Sequence, residues 1–216
     1  MRAFDLFISS LTLAILSPLM LVVIIILRFT GEGYIFFLQK RIGKNGFEFN
    51  LIKFVTMLKD SPNIGSRTLT LYGDDRILRF GTFLRRTKLN ELPQLLNVIK
   101  GDMSLIGPRP QTPECFSKFE LESQEIIKTV KPGISGIGSL VFSNEEDVLK
   151  NHKNPELFFS EVLMPYKGRT EEWFVKNISL NLYFALLIKT IMVVLFNYKF
   201  IPWTKLHDFP KPNFKI

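Results

Sequence analysis

The longest apolar pattern in the chain lies close to Met1. Leu6 to Leu27 form a run of 22 residues without a charged side chain. As a straight helix this run is about 33 Å long, which is enough to cross a bilayer core of about 30 Å. The run is longer than that of a typical signal peptide, and no small-residue cleavage site follows it. The pattern therefore predicts a membrane-embedded helix.

Two features of this run favour a helix that dips into the membrane and returns. Ser17 and Pro18 stand at its middle, and a proline there removes a backbone donor and clashes with the preceding turn, which predicts a break. Arg2 precedes the run and Arg28 follows it, so both ends fit the cytoplasmic side under the positive-inside tendency. We expect a re-entrant helix-break-helix over residues 1–30, with a full membrane span as the alternative.

Shorter patterns follow the membrane segment. Two stretches, YIFFLQKRIG and FEFNLIKFVTM, are rich in aromatic and branched residues and are separated by Gly43 to Gly46, which predicts a β-hairpin. Beyond a basic amphipathic stretch, apolar residues at helical spacing predict a helix that starts beside Asn90 and ends at Gly101.

The remaining half of the chain is less regular. Cys115 to Val130 predicts a helix with its carboxylates facing water, whereas residues 144–166 have no clear pattern. Ile178 to Phe196 predicts a last apolar helix that packs on the domain or lies at the membrane interface. In the segment that follows, aromatic residues such as Phe209 alternate with lysines, a composition typical of the lipid headgroup level.

Composition fits a membrane-associated globular protein. Hydrophobic residues make up 46% and charged residues 22% of the chain, so the chain is not disordered, and 21 phenylalanines suggest a lipid boundary. We expect an α+β fold, mostly helical, with a small β-hairpin and the re-entrant helix. We expect residues 31–177 to form a cytoplasmic catalytic domain and residues 178–216 to form an apolar or interfacial helix with an aromatic and basic tail.

The charge and the cysteine count limit the function classes. A net charge of +8 suits an anionic lipid surface, a phosphorylated substrate or a nucleic acid. The sequence has no nucleic-acid-binding motif, and the apolar run fits that class badly, so we expect no nucleic-acid partner. The single cysteine, Cys115, excludes an internal disulfide and a cysteine zinc cluster, and we expect it to be buried.

The candidate chemistry is concentrated around Asn90 and Glu91, which stand side by side ahead of Pro93. Arginine forks match phosphate geometry, and the start of a helix favours an anion, so one interpretation is a phosphorylated ligand bound there. A solvated basic face near anionic lipid is the other interpretation, and Asn90 is also a good helix N-cap residue. The polar residues that accompany the pair are Lys53, Arg85, Lys88, Asp102 and Arg109, the last followed by Pro110.

These pieces together resemble a known family, the bacterial sugar transferases called small monotopic phosphoglycosyl transferases. The resemblance extends from about Arg2 to Gly138. Its parts are Ser17-Pro18, FLQKRIGKNGFEFNLIKF, DDRILRFGTFLRRTKLNELPQLLNVIKGDMSLIGPRP and KPGISG. The resemblance implies anchoring by a re-entrant helix that is broken at the Ser-Pro pair, on the cytoplasmic face of a bacterial inner membrane.

The resemblance also implies a reaction. Such enzymes move a sugar-1-phosphate from a nucleotide diphosphate sugar, usually a UDP-sugar, onto a polyprenol phosphate such as undecaprenyl phosphate, and release UMP. They require Mg²⁺. The product begins a glycan such as a polysaccharide or lipopolysaccharide. The expected partners are therefore a UDP-sugar, polyprenol phosphate and membrane lipid, and the sequence leaves a homodimer open.

The resemblance implies roles for the site residues as well. The family has an aspartate at the position of Asn90, which attacks the phosphate bonded to the sugar and takes part in magnesium binding. Glu91 assists proton transfer from the lipid phosphate, or its positioning, and belongs to the same metal site. Arg85 is expected to hold phosphate, and Arg109 and Pro110 to seat the nucleotide. Lys53, Lys88 and Asp102 complete the expected phosphate-binding set.

Position 90 departs from the family pattern, because a carboxamide is neutral and a poor nucleophile. Val55 also stands where the family has arginine, and IGSLVFS follows KPGISG in place of the usual continuation. Four alternatives remain open: Glu91 is the nucleophile; the chain is an inactive relative that acts as a scaffold or regulator; Asn90 is an engineered change in an active enzyme; or transfer is direct, without a covalent intermediate.

Overall fold

The computed structural model describes residues 1–63, 74–143, 145–150, 152–196 and 206–214. The chain forms two compact units. The first unit comprises Met1–Gln39 and Asn50–Gly101, and the second comprises Lys40–Phe49 and Asp102–Ile216. This division follows packing, so the functional division predicted at residues 30 and 177 stays a prediction.

Helix α1, Arg2–Phe29, opens the first unit and is long and apolar enough to cross a membrane. Helix α1 continues through Ser17 and Pro18, so it is one helical element where two were predicted, and the re-entrant path stays a prediction. The Ser17 hydroxyl donates to the Ala14 carbonyl at 2.9 Å. That carbonyl is the one that loses its helical donor to Pro18, so the serine replaces the missing hydrogen bond.

One face of α1 is packed against the first unit near both ends of the helix. The Arg2 guanidinium donates to the carbonyls of Val98 and Ile99 at 2.6 and 3.0 Å. Near the other end, Val23 and Leu27 are buried in an apolar cluster of the same unit. The opposite face is exposed and apolar, and includes Phe7, Leu11, Ile15, Leu19, Val22, Ile25 and Phe29.

The predicted hairpin is present. Strands β1, Phe36–Ile42, and β2, Glu48–Phe54, pair with each other, and Lys44–Gly46 form a 3-10 turn between them. Asn45 has a φ of 58°, a left-handed conformation that asparagine tolerates well. Phe36 and Phe54 stack with ring centroids 5.5 Å apart and fix the open end of the hairpin.

Within the described residues of the first unit, a 3-10 turn over Ser61–Asn63, two helices and a second 3-10 turn follow the hairpin. Helix α2 spans Arg79–Arg86, a 3-10 turn spans Leu89–Glu91, and α3 spans Gln94–Lys100. The prediction that the latter helix starts beside Asn90 was wrong by one turn, because Pro93 is its N-cap residue. Its predicted end is confirmed: Gly101 has a φ of 104°, and its N–H bonds the carbonyls of Asn97 and Val98.

The second unit is built around a short parallel pair of strands. Strand β3, Ser104–Ile106, pairs with β4, Gly133–Ser135, so that Ser104 faces Gly133 and Ile106 faces Ser135. The helices of this unit are α4 Pro113–Phe116, α5 Leu121–Ile127, α6 Ile137–Val141, α7 Glu145–Lys150, α8 Pro155–Phe158, α9 Met164–Lys176 and α10 Leu180–Phe196, with a π-helical turn over Phe159–Leu163.

Two predictions for this unit need correction. The single helix predicted from Cys115 to Val130 is two short helices, because α4 ends where the buried rings of Phe116 and Phe119 pack together. Phe209, expected at the headgroup level, is buried and packs edge-on against Trp173. Cys115 is buried, as predicted, and the rest of the aromatic tail, residues 197–205, lies outside the described residues.

The predicted last apolar helix is confirmed as α10. Tyr183 and Leu186 are buried on its inner face, and the hydroxyls of Thr190 and Ser135 are 2.8 Å apart. The outer face is exposed and apolar, and includes Leu180, Phe184, Ile188 and Ile191.

Candidate active site

The first unit brings Lys53 and Glu91 together. Lys53 lies on β2, where Leu51 and Phe54 point into the core, and Glu91 ends the 3-10 turn. Lys53 Nζ is 3.9 Å from Glu91 Oε1, and the two side chains are 16% and 19% exposed. A lysine and a carboxylate are thus held close together in a partly enclosed polar environment, within reach of a ligand from solvent.

Asn90, which precedes Glu91 in the chain, is buried. It is 8% exposed, and its Oδ1 atom has no hydrogen-bond partner within the described part of the chain. Asn90 therefore does not act as a helix N-cap, since the cap side chain must accept a backbone N–H. A buried amide oxygen without a partner costs about 1–3 kcal/mol. A ligand that binds the Asn90 amide oxygen would offset this cost.

Helix α2 and the residues just before it are fixed against Thr56 and Met57, which come shortly after β2. The N–H of Leu78 bonds the Thr56 carbonyl at 3.0 Å, and Met57 and Ile77 form an antiparallel bridge. A side chain at Gly81 would collide with Thr56, so glycine permits this close approach.

This packing determines where the predicted cations of the first unit lie. Arg85 is half-buried in the last turn of α2, and Lys88 is exposed at a left-handed φ of 60°. The left-handed residue ends α2 and turns the chain directly into the 3-10 turn that carries Asn90 and Glu91. The first unit therefore contains Lys53, Arg85, Lys88, Asn90 and Glu91.

The other predicted residues belong to the second unit: Asp102, Arg109 and Pro110. Backbone hydrogen bonds hold the loop that contains Arg109 and Pro110 against strand β4. Gly107 N–H bonds the Ser135 carbonyl at 2.9 Å, and Gly133 N–H bonds the Pro108 carbonyl at 2.8 Å.

The hairpin turn supports the same loop from another side. The Arg41 guanidinium donates to the Pro110 carbonyl at 2.8 Å, and the Ile42 N–H bonds the Gln111 carbonyl at 2.9 Å. The backbone around Arg109 is therefore fixed, which limits where its guanidinium can reach.

Sequence reasoning missed Glu171, which lies on α9. It is 2% exposed, and its Oε1 atom accepts the N–H of Arg109 at 3.0 Å. Burial raises the pKa of Glu171 to about 7, against the opposing effects of the Arg109 and Gly138 N–H groups and the charges of Lys167 and Arg109. The sequence contains Glu171 and Glu172 in succession, and nothing in that pattern shows that Glu171 is the one that is fully buried.

Metal-binding capacity is modest in the described residues, which contain no group of three or more histidine, cysteine or acidic side chains. Mg²⁺, however, is usually held by one or two carboxylates together with water and substrate phosphates. The Glu91 carboxylate and the buried, unpartnered Asn90 Oδ1 supply two oxygen donors of the type that Mg²⁺ prefers. By donor type, these two residues suit a metal site that the substrate completes.

Comparison with known proteins decides the family. The family model described as "Bacterial sugar transferase" matches residues 1–197. The chain belongs to the bacterial sugar transferase family. This assignment confirms the resemblance drawn from the sequence motifs.

Several relatives of this bacterial sugar transferase resemble it over much of its length. The UDP-N-acetylgalactosamine-undecaprenyl-phosphate N-acetylgalactosaminephosphotransferase of Aeromonas hydrophila is 33% identical over 90% of the chain and 43% of its own length. The undecaprenyl-phosphate glucose phosphotransferase of Komagataeibacter xylinus is 37% identical over 69% of the chain and 29% of its own length.

The exopolysaccharide production protein ExoY of Sinorhizobium fredii has a size closer to that of this bacterial sugar transferase. It is 34% identical over 67% of the chain and 70% of its own length. The Aeromonas and Komagataeibacter proteins are longer, and this chain spans less than half of either.

Proposed function

We propose that this bacterial sugar transferase moves a sugar-1-phosphate from a UDP-sugar to a polyprenol phosphate, with UMP as the other product. The names of the Aeromonas and Komagataeibacter relatives refer to undecaprenyl phosphate, which supports the acceptor class. The single observation that carries the proposal is the arrangement of Lys53, Glu91 and Asn90 in the first unit.

This arrangement suits attack on a phosphate. The Glu91 carboxylate attacks the phosphorus bonded to the sugar, the bond from that phosphorus to the bridging oxygen breaks, and UMP leaves with that oxygen. A phosphate oxygen of the polyprenol phosphate then attacks the same phosphorus and releases the carboxylate. Lys53, 3.9 Å from Glu91, binds phosphate oxygens during both steps and offsets their negative charge.

Mg²⁺ belongs to the proposal as well. Glu91 and the Asn90 amide oxygen would hold it together with substrate phosphate oxygens, and when bound it supplies positive charge that stabilises the phosphates in the transition state. Asn90 is then a neutral ligand, which leaves Glu91 as the only carboxylate of the adjacent pair.

The packing of α1 supports a monotopic membrane association. Arg2 at one end of the helix and Leu27 near the other both pack on the first unit. A helix fixed at both ends to one compact unit does not place those ends on opposite sides of a bilayer. Its exposed apolar face would instead enter one leaflet from the cytoplasmic side of the inner membrane, which brings the unit that carries Glu91 to the lipid headgroups.

A second candidate function rests on Asn90 itself. The amide stands where the resemblance implies an aspartate nucleophile, so the chain would bind a UDP-sugar without turnover and act as a scaffold or regulator at the membrane. This candidate predicts that a carboxylate at position 90 creates activity.

The test uses detergent-purified full-length protein with Mg²⁺, undecaprenyl phosphate and a panel of UDP-sugars. We expect UMP release with at least one sugar, and a phosphosugar adduct on Glu91 by intact-mass analysis and peptide mapping when the lipid is omitted. Release without an adduct would favour direct transfer. No release with any sugar would remove the catalytic proposal and leave the scaffold.

A further inference from the structure

A buried carboxyl group in the second unit has no part in the proposed chemistry. Glu171 lies on α9, and it is 2% exposed. Its neighbour Glu172 is partly buried and is fully accounted for by ordinary partners, since it accepts hydrogen bonds from Lys176 and Ser123 at 2.6 Å each. Burying a carboxyl group costs free energy unless the group is hydrogen-bonded, so the burial of Glu171 has to be explained by its contacts.

Glu171 joins two loops through its carboxyl group. Its Oε1 atom accepts the N–H of Arg109 at 3.0 Å, and the carboxylate also accepts the backbone N–H of Gly138. The first of these amides belongs to the GPRP loop, residues 107–110. The second belongs to the glycine loop, by which we mean residues 136–138, running from the end of β4 into the first turn of α6. The Oε2 atom is buried without a hydrogen-bond partner among the described residues.

The two loops are also close to each other. A side chain at Gly136 would collide with the carbonyl of Gly107, and a side chain at Gly138 would collide with Oε1 of Glu171. Glycine at both positions therefore permits an arrangement in which one carboxyl group binds amides from both loops. A carboxyl group that only filled space would not require this geometry.

We propose that Glu171 is a positioning residue, which fixes the backbone of Arg109 against the glycine loop and so orients the Arg109 guanidinium to bind a phosphate group of the sugar nucleotide. This inference rests on the proposed function. It assigns to Glu171 a role in the binding of the nucleotide sugar and none in the binding of the polyprenol phosphate. The pKa of Glu171 is raised because burial disfavours the charged carboxylate. The buried position of this residue therefore costs the folded protein stability, which agrees with a role other than stabilisation.

The test compares Glu171→Leu, Glu171→Gln and the matched neighbour Glu172→Gln in full-length protein. Binding of UDP is measured by calorimetry with Mg²⁺ present, and KM is measured for both substrates. We expect E171L to weaken UDP binding at least tenfold and to raise KM for the UDP-sugar, with KM for the polyprenol phosphate unchanged. E171Q is expected to stay within threefold of wild type, because its amide oxygen accepts the same two N–H groups. E172Q is expected to match wild type.

A double variant tests whether the effect passes through Arg109. If Glu171 acts by positioning that residue, E171L adds little to the loss caused by Arg109→Gln. If E171L does not fold, Gly138→Ala provides the same test, because its added methyl displaces the carboxyl group. Three results would each overturn the inference. The first is an unchanged UDP affinity in E171L or G138A, and the second is a loss of affinity in the double variant that equals the sum of the E171L and R109Q losses. The third is a UDP affinity in E171Q as low as that in E171L. A wild-type protein that binds UDP but releases no UMP would instead remove the proposed function alone.

Discussion

Lys53 Nζ lies 3.9 Å from Glu91 Oε1, and both side chains are more than four-fifths buried. This separation is longer than a hydrogen bond but short enough for strong attraction in a partly buried setting. We expect Glu91→Gln to lower turnover at least about a thousandfold, or about 4 kcal/mol, because it removes the proposed nucleophile. Lys53→Gln should lower kcat/KM by about ten- to a hundredfold, since one phosphate-binding charge is lost. UMP release measures both effects.

A second lysine–glutamate pair provides the control. Lys40 Nζ and Glu48 Oε2 are 3.3 Å apart, but their side chains are 74% and 44% exposed, so the pair contributes little to stability. Lys40→Gln and Glu48→Gln should leave UMP release within about twofold of wild type, an energetic effect below about 0.5 kcal/mol. A loss in Glu48→Gln as large as that in Glu91→Gln would contradict a special role for Glu91.

The Asn90→Asp variant distinguishes an enzyme that uses Glu91 as its nucleophile from a scaffold that binds the UDP-sugar without turnover. A second carboxylate beside Glu91 repels the first, and like charges at close range favour a shared proton. We therefore expect a fall in UMP release, measured at several pH values and at fixed Mg²⁺. A rise of several orders of magnitude would show that the amide blocks an aspartate mechanism, and would favour the impaired relative or an engineered Asn90.

The free energy of unfolding should depend on pH because of Glu171. Its pKa rises to about 7 in the folded state from 4.5, so the folded protein holds a proton over an interval in which the unfolded chain has lost it. The stability that this proton confers is full below about pH 4.5 and disappears as the pH rises to about 7. The change amounts to about 3 kcal/mol, and E171Q removes it. Denaturant unfolding at pH 5 and pH 8, in one detergent, measures the difference between the two proteins.

The neighbouring glutamate supplies a control of opposite sign. Burial would raise the pKa of Glu172, but hydrogen bonds from Lys176 and Ser123 outweigh it, and the pKa is lowered. E172Q should therefore lose stability relative to wild type as the pH rises toward about 4.5, and the difference between the two proteins should be nearly constant from pH 5 to pH 8. If E172Q changed between pH 5 and pH 8 as much as E171Q does, the burial of Glu171 would not be the cause of the pH dependence.

The membrane arrangement of α1 can be tested by labelling. With Cys115 replaced by alanine, single cysteines at Ala3 and Thr30 mark the two ends of the helix. Because both ends pack on the first unit, we expect a membrane-impermeant maleimide to label both from the cytoplasmic side in inverted vesicles, and neither in intact spheroplasts. Labelling of one end from each side would establish a full span.

Local patterns predicted the elements that depend on local chemistry. The hairpin followed from two β-rich stretches with a glycine turn between them, and the end of α3 followed from Gly101. Helix α1 continues through Pro18, where Ser17 provides a replacement hydrogen bond to the carbonyl that the proline deprives of its donor, and the re-entrant path stays a prediction. The start of α3 was wrong, because its apolar spacing continues back through a 3-10 turn with nearly the same periodicity.

The candidate site was predictable only in part. Motif order located Lys53 and Glu91, and the structure brings them together. Glu171 could not be found, because its role depends on contacts with Arg109 and Gly138, which lie tens of residues away in the chain. Burial of one member of an adjacent glutamate pair is a property of tertiary packing, which a single sequence does not reveal.

The buried face of α1 has a practical consequence for protein production. Val23 and Leu27 share a cluster with Phe54 of the hairpin and Leu84 of α2, the helix that leads to the Asn90–Glu91 turn. Deleting the apolar segment to obtain a water-soluble fragment would therefore remove core residues from the unit that contains Glu91, the proposed nucleophile. Expression in nanodiscs or mild detergent, with the segment retained, is the preparation in which the chemistry of Glu91 can be measured.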